Sequence, residues 1–467
     1  MIRKIIACLM VLAFLCLTAC GSESSVECTD DVIVYDEAET KDPLRICVDL
    51  QNFASSAASP EYEAMKELIA ELKSAGLEDV VVEYIPSPYE FDGTKVDIDN
   101  SSRASAIDRV RVEIMSGGGP DVFLATYMKD WGDENGPNFD RTDSLFKYPR
   151  KAMENGLFLP LDEYIENNTK YTEWDKLTQP VLEAGRNEEG QQIIPLSYTF
   201  PVLAYPKSEW EHTPDKKYTW NDLLTNPELV PLSLDLANCN SESGGLSYGP
   251  DGDSTHRKNS GYLSYIMGVY ADFEAEKLNF TEEELLERVN EILELKLGDS
   301  YESVDAAAEV YAGIGLSDST FHQPMTFLPL YNVNGGITAE IEAFAAVNRN
   351  TKRPEDAFRV IDLLLSKNFP QYRMFYRDLT GYNTIPMHEE MFQESTPIKC
   401  RSFKMTAENF EAFSKVREQI TEANFTSEGT YLLDSMLARC SDAWYYKESV
   451  EDIVHEYYTD LERRVRE

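Results

Sequence analysis

The chain has 467 residues, 42% of them hydrophobic and 11% aromatic, with 83 acidic residues against 43 basic ones and a formal charge of −40. A surface of that sign repels nucleic acid and anionic ligands, so those partners are not expected and a neutral or cationic ligand is favoured. Beyond Cys20, the cysteines at 28, 47, 239, 400 and 440 lack metal-ligand spacing, and no two histidines stand at i, i+4, so neither a metal site nor a cofactor is expected.

The first element is a secretory signal: Arg3 and Lys4 precede an uncharged stretch from Ile5 to Leu17, too short to cross a bilayer, and Thr18-Ala19-Cys20 closes it. This start resembles the bacterial lipoprotein signal. The resemblance implies removal of residues 1–19, a diacylglycerol thioether on Cys20, and a protein held on the outer face of the cell membrane, or on its periplasmic face where an outer membrane exists. Loss of Arg3 and Lys4 takes the charge from −40 to −42. Residues 20–42, rich in Ser, Glu, Asp and Thr, read as a flexible tether. Residues 43–467 exceed what one core usually holds, which predicts two domains. Disulfides are compatible with this compartment, but spacing does not pair Cys28, Cys47, Cys239, Cys400 and Cys440.

From Leu44 to Leu50 the β-branched and apolar content predicts a buried strand. Ser59 and Pro60 then start a helix, with Tyr62, Met65, Leu68, Ile69 and Leu72 at helical spacing and Gly76 at its end. Asp79 to Ile85 is the next strand, Val-rich enough for a parallel sheet, and the three elements make a βαβ unit. A helix from Arg103 to Ser116 carries Ile107, Val110, Ile114 and Met115, and it breaks at Gly117-Gly118-Gly119-Pro120 before the strand Asp121 to Leu124. Those glycines close a helix, whereas phosphate loops open one, so they read as a tight connection. Ligands of open α/β sheets sit beyond the carboxyl ends of the strands, which draws attention to the loops after Leu50 and Leu124.

Arg111 to Phe123, with its glycines, resembles the helix-to-strand passage of family 1 extracellular solute-binding proteins, the receptors of bacterial ABC importers. Further segments agree in order: Gly156 to Asp162, Ile193 to Leu196 through Tyr205 and Lys207, Trp220 to Leu224, Gly335 to Thr338 through Phe344 to Val347 and Pro354 to Ala357, and Tyr445-Tyr446 with the closing helix. The resemblance implies an α/β, two-lobed periplasmic-binding-protein-like fold of type II, each lobe a mostly parallel sheet flanked by helices, with a cleft between. It places lobe 1 at 43–198 and 327–382 and lobe 2 at 199–326 and 383–467. It also implies a monomeric receptor that closes on its solute, hands it to ABC permease subunits and performs no catalysis. Residues 92–102 and 238–261 depart from the family pattern.

Sugars are the solute that the family and the 52 aromatic residues suggest together, since a ring face suits the C–H side of a pyranose while acids and amides bond its hydroxyls. By position on strand-end loops and crossings, the expected contacts are Gln51, Asn52, Tyr127, Asp130 and Trp131 in the first lobe, and Tyr198, Gly335, Gly336, Tyr382 and Asn383 at the crossings. Tyr248 and Trp444 complete the set from the second lobe. A cationic solute, polyamine or peptide, is the alternative that the acidic balance supports, and a glycan-docking or sensory module would use the same closing cleft. Gly245-Leu246-Ser247-Tyr248-Gly249 matches a hydrolase nucleophile elbow, but its flanks have loop composition where a strand and a helix are required. Asp251, Asp253 and Thr255 begin a calcium-loop pattern that fails at Tyr262. No paired carboxylates can be singled out among 83 acidic residues, so no catalytic residue is assigned.

Overall fold

The computed structural model describes residues 42–49, 60–85, 90–91, 96–97, 100–126, 144–206, 263–297, 309–312, 324–369, 385–388, 406–425 and 430–466. In chain order they form β1 (Leu44–Asp49), α1 (Pro60–Ser74), β2 (Val80–Ile85), the small pair β3 (Glu90–Phe91) and β4 (Val96–Asp97), α2 (Asn100–Met115) and β5 (Val122–Thr126). Next come α3 (Pro149–Glu154), α4 (Asp162–Asn168), α5 (Gln179–Leu182), the pair β6 (Arg186–Asn187) and β7 (Gly190–Gln191), then β8 (Ile193–Thr199) and β9 (Pro201–Pro206). They are followed by α6 (Leu263–Met267), β10 (Ala271–Asp272), β11 (Lys277–Leu278), α7 (Glu282–Leu297), β12 (Glu309–Ala312), β13 (Met325–Pro329) and β14 (Ile337–Val347). The rest are α8 (Pro354–Leu364), β15 (Ile385–Pro386), α9 (Ala407–Arg417), β16 (Ile420–Phe425), α10 (Thr430–Tyr446) and α11 (Val450–Arg466).

A seven-stranded sheet runs in the order β15-β8-β14-β5-β1-β2, with β16 also paired to β14. β1 lies parallel to β2 and β5, as two successive βαβ crossovers require. β14 reverses direction and pairs antiparallel with β5 and β8, so the sheet is mixed. A second, three-stranded sheet, β12-β9-β13, is antiparallel throughout and differs from the expected mostly parallel lobe.

The elements form where periodicity places them. In α1, Met65, Leu68 and Leu72 are buried, and the helix stops at Gly76, whose φ of +84° suits glycine while the Leu77 N–H returns to the Leu72 carbonyl at 3.0 Å. α2 buries Arg103, Ile107, Val110 and Ile114, one helical stripe with a charge at its start. The glycine run after α2 is a helix stop: Gly118 N–H reaches the Glu113 carbonyl at 3.1 Å, and Gly117 and Gly119 have φ of +81° and +95°.

Two apolar cores result. The larger packs α1, α2, α8 and α9 against the seven-stranded sheet and takes in Val202, Met325 and Phe327 of the three-stranded one. The other is helical, built from α6, α7, α10 and α11 with Tyr270, Phe273 and Leu330. No helix of the described residues is long and apolar enough to cross a membrane.

Candidate functional site

β1 ends at Asp49, β5 at Thr126 and β8 at Thr199, all on one edge of the large sheet. Because β14 runs the other way, Ala343 lies opposite Thr126 and Glu340 opposite Thr199, so its first half passes beyond that edge. This carboxyl edge is where an open α/β sheet offers a ligand crevice.

At the edge, Asp49 is 1% exposed and receives Arg103 Nη2 on Oδ1 at 2.7 Å and the Leu145 N–H on Oδ2 at 2.8 Å. Thr126 Oγ1 donates to the Asp49 carbonyl at 3.3 Å, and Arg111 Nη2 donates to the Ser144 carbonyl at 2.8 Å. Beneath them Phe123, Phe146 and Phe158 pack edge to face, with centroids 5.0 to 6.2 Å apart.

The overhanging half of β14 carries buried polar side chains. Glu340 accepts from Ser264 Oγ at 3.1 Å and Tyr265 Oη at 3.2 Å, both on α6 of the helical core. Glu342 accepts from Thr199 Oγ1 at 3.3 Å. On the neighbouring β16, Glu422 Oε1 gathers Asn332 Nδ2, Thr338 Oγ1 and the Val269 N–H at 2.8 to 3.1 Å. Asn424 donates to the Gly268 carbonyl at 2.9 Å. The two cores therefore meet across hydrogen-bonded carboxylates and amides, not across apolar packing alone. A second seam joins α3 to the helical core, with Arg150 over the Phe273 ring and Lys151 donating to the Val465 carbonyl at 3.2 Å. Here burial, with Glu274, Asp272 and Glu188 nearby, raises the Glu154 carboxyl above its ordinary value against a hydrogen bond from Asn187.

Of the expected contacts, Tyr198 is wholly buried in β8 beside Ile341, with its hydroxyl 3.1 Å from Thr178 Oγ1. Gly335 and Gly336 form the turn into β14. Gly335 has φ of +81°, Asn332 Oδ1 accepts the Gly336 N–H at 3.0 Å, and a Cβ on Gly336 would come within 1.9 Å of Thr421 Oγ1. Tyr198 and this glycine turn thus flank the same strand. Trp444 sits apart on α10, 40% exposed, near a surface cavity of about 290 Å³ lined by Arg439, Tyr446, Asp452 and Glu456 among others. Gln51, Asn52, Tyr127, Asp130, Trp131, Tyr248, Tyr382 and Asn383 lie outside the described residues, as do Cys20, Ser247 and the residues 251–255. Cys47 and Cys440 are free and buried; the other three cysteines of the mature chain beyond Cys20 are outside the described residues.

Asp49, Arg103, Glu340 and Glu342 were absent from the expected set. The two glutamates carry a signal, since with Thr338 they interrupt a run of apolar residues, whereas Asp49 and Arg103 read only as a polar strand end and a charged helix start.

Among known proteins, the family model described as bacterial extracellular solute-binding protein matches residues 58–368. A family 1 extracellular solute-binding protein from Alicyclobacillus acidocaldarius aligns at TM-score 0.51 and 14% identity, over 92% of this chain and 100% of its own. A periplasmic oligogalacturonide-binding protein from Yersinia enterocolitica aligns at 0.51 and 13%, over 91% and 99%. A de novo designed cysteine esterase aligns at 0.53 and 14%, over 91% and 98%, and at such identity the likeness speaks of fold alone. No curated protein matches the chain. The fold is the two-lobed, periplasmic-binding-protein-like one.

Proposed function

Since this chain belongs to the bacterial extracellular solute-binding proteins, we propose that it is a lipid-anchored receptor that captures a neutral sugar or oligosaccharide by lobe closure and passes it unaltered to an ABC importer. The observation that carries this reading is the family match across residues 58–368, which takes in β2, β5, β8 and β14 of the large sheet and the polar junction of β14 with α6. A solute touching both lobes favours the closed state by its differential affinity for it. The lobes proposed are 43–198 with 327–382 and 199–326 with 383–467, and the anchor is Cys20.

The sugar class is supported by the aromatic content and by the galacturonide-binding neighbour. A formal charge of −40 favours a neutral glycan over an anionic one. Gln51, Asn52, Tyr127, Asp130 and Trp131 are proposed as first-lobe contacts, Tyr382 and Asn383 at the third crossing, and Tyr248 from the second lobe. Tyr198 and Gly336, both buried and tightly packed, are proposed to shape the crossing, while Gly335, exposed with open space around it, stays a proposed contact.

A thermal-shift panel of neutral oligosaccharides, galacturonides, amino sugars, polyamines and peptides tests the class, because a saturating tight ligand adds about 3 to 4 kcal/mol. A neutral oligosaccharide is expected to raise the melting temperature, and Trp131→Ala or Tyr127→Ala to weaken that response. Silence toward every glycan, with a shift by a polyamine, overturns the sugar class. New reducing ends after incubation with the glycan would overturn the non-catalytic reading, and Cys20→Ala is expected to release the protein from the membrane.

A further inference from the structure

A buried Arg–Asp pair is a costly way to build a core. Desolvation of both charges offsets much of their attraction, and apolar residues of similar volume often serve stability as well or better. Asp49 and Arg103 are each 1% exposed, and their bond is a short one, 2.7 Å. Their place in the fold is equally particular. Asp49 is the last residue of β1; its carbonyl takes the hydroxyl of Thr126, the last residue of β5; and its second carboxylate oxygen takes the N–H of Leu145, where the chain comes back before α3. Arg111, two helical turns beyond Arg103 on α2, holds the Ser144 carbonyl at 2.8 Å and the Leu145 carbonyl at 3.3 Å.

We infer that Asp49 and Arg103 are positioning residues for solute capture: one buried ion pair sets where the chain leaves β1, where it leaves β5 and where it returns at Leu145. This inference rests on the solute-binding reading. All three points lie on the carboxyl edge, so an error in any of them displaces whatever the edge presents to a solute. A fixed edge means that less ordering is left to be done on binding, which is how preorganisation raises affinity. A neutral hydrogen-bonded pair can occupy the same space, but it does not hold direction as a charged fork does.

The test uses the full mature chain with Asp49→Asn and Arg103→Gln combined, which keeps an acceptor for the Leu145 N–H and lets the amide N–H at position 49 donate to the amide oxygen at position 103. Melting is expected to stay within about 3 °C of the unaltered protein. The dissociation constant for the neutral trisaccharide that shifts melting most, among mannotriose, maltotriose and cellotriose, is expected to rise about tenfold or more, mainly through faster release. Without any ligand, hydrogen exchange in peptides holding Thr126 and Leu145 is expected to speed up about fivefold, while α10 and α11 keep their rates. Unchanged affinity, or an affinity loss matched by lower melting and faster exchange everywhere, overturns the inference in favour of a plain structural pair. If the unaltered chain binds none of the sugars, the sugar reading fails by itself. Spermidine then replaces the trisaccharide in the same comparison, and unchanged exchange at Thr126 and Leu145 still overturns the positioning role. Should the double variant not fold, Arg103→Lys keeps the charge, loses the fork and carries the same readouts with a smaller expected effect.

Discussion

The two edges of the large sheet are built on different plans. At the amino edge the links are short, 75–79 before β2 and 116–121 before β5, and their polar groups are tied to neighbouring backbone. Asp121 accepts the Arg45 N–H at 2.9 Å and the Thr351 hydroxyl, while Asn348 Nδ2 donates to the Gly118 and Pro120 carbonyls at 2.9 and 2.8 Å. At the carboxyl edge, where β1 stops at Asp49 and β5 at Thr126, the structure spends buried charge: Asp49 with Arg103, and Glu340 and Glu342 on the half of β14 that overhangs the edge. Short, hydrogen-bonded links serve stability. An edge footed on buried charge suits a surface that has to meet something.

This contrast makes its sharpest prediction at the amino edge. Asn348 is 1% exposed, and removing its amide leaves the Gly118 and Pro120 carbonyls and the Asn350 N–H without their partner. Asn348→Ala is expected to lower unfolding free energy by about 2 to 4 kcal/mol in a denaturant titration. Solute affinity of the folded fraction should not change. If affinity falls as far as stability does, the two edges are not functionally separate.

A smaller effect is expected at the other end of β14. Gly336→Ala drives a Cβ to 1.9 Å from Thr421 Oγ1 and 3.0 Å from Thr421 Cβ, contacts that side-chain rotation alone does not relieve. Overpacking of this kind costs about 1 to 3 kcal/mol. Adding Thr421→Gly should restore most of the loss in thermal unfolding. A glycine needed chiefly as a solute contact would show lost binding that the second change does not restore.

The fold was legible where local chemistry is strong. The first strand, the helix that Pro60 opens and Gly76 ends, the second strand and the glycine stop before β5 all stand within a few residues of the reading from sequence. The order of family segments carried the two-lobed architecture, which periodicity alone could not. What escaped was the wiring of the carboxyl edge. A pattern of apolar positions treats Asp49 as the polar end of a strand and Arg103 as a helix's solvated start, because nothing local reports that residues 54 apart share a buried bond. The antiparallel course of β14 was hidden for the same reason: strand direction is set by distant pairing partners, here β5, β8 and β16.

The mildest prediction concerns the seam where α3 leaves that edge and faces the helical core. Burial and the nearby Glu274, Asp272 and Glu188 raise the Glu154 carboxyl, while Asn187 works against them. A carboxyl whose folded value lies above its unfolded one binds its proton more tightly when folded, so its ionisation opposes folding at neutral pH and the penalty fades as pH falls toward the ordinary glutamate range. Glu154→Gln should therefore stabilise the protein at pH 7, by less than about 1 kcal/mol because the group is largely solvent-screened. The gain should vanish near pH 4 and shrink in high salt. A gain that persists in acid would mean that amide packing, not charge across the seam between the two cores, sets the local energy.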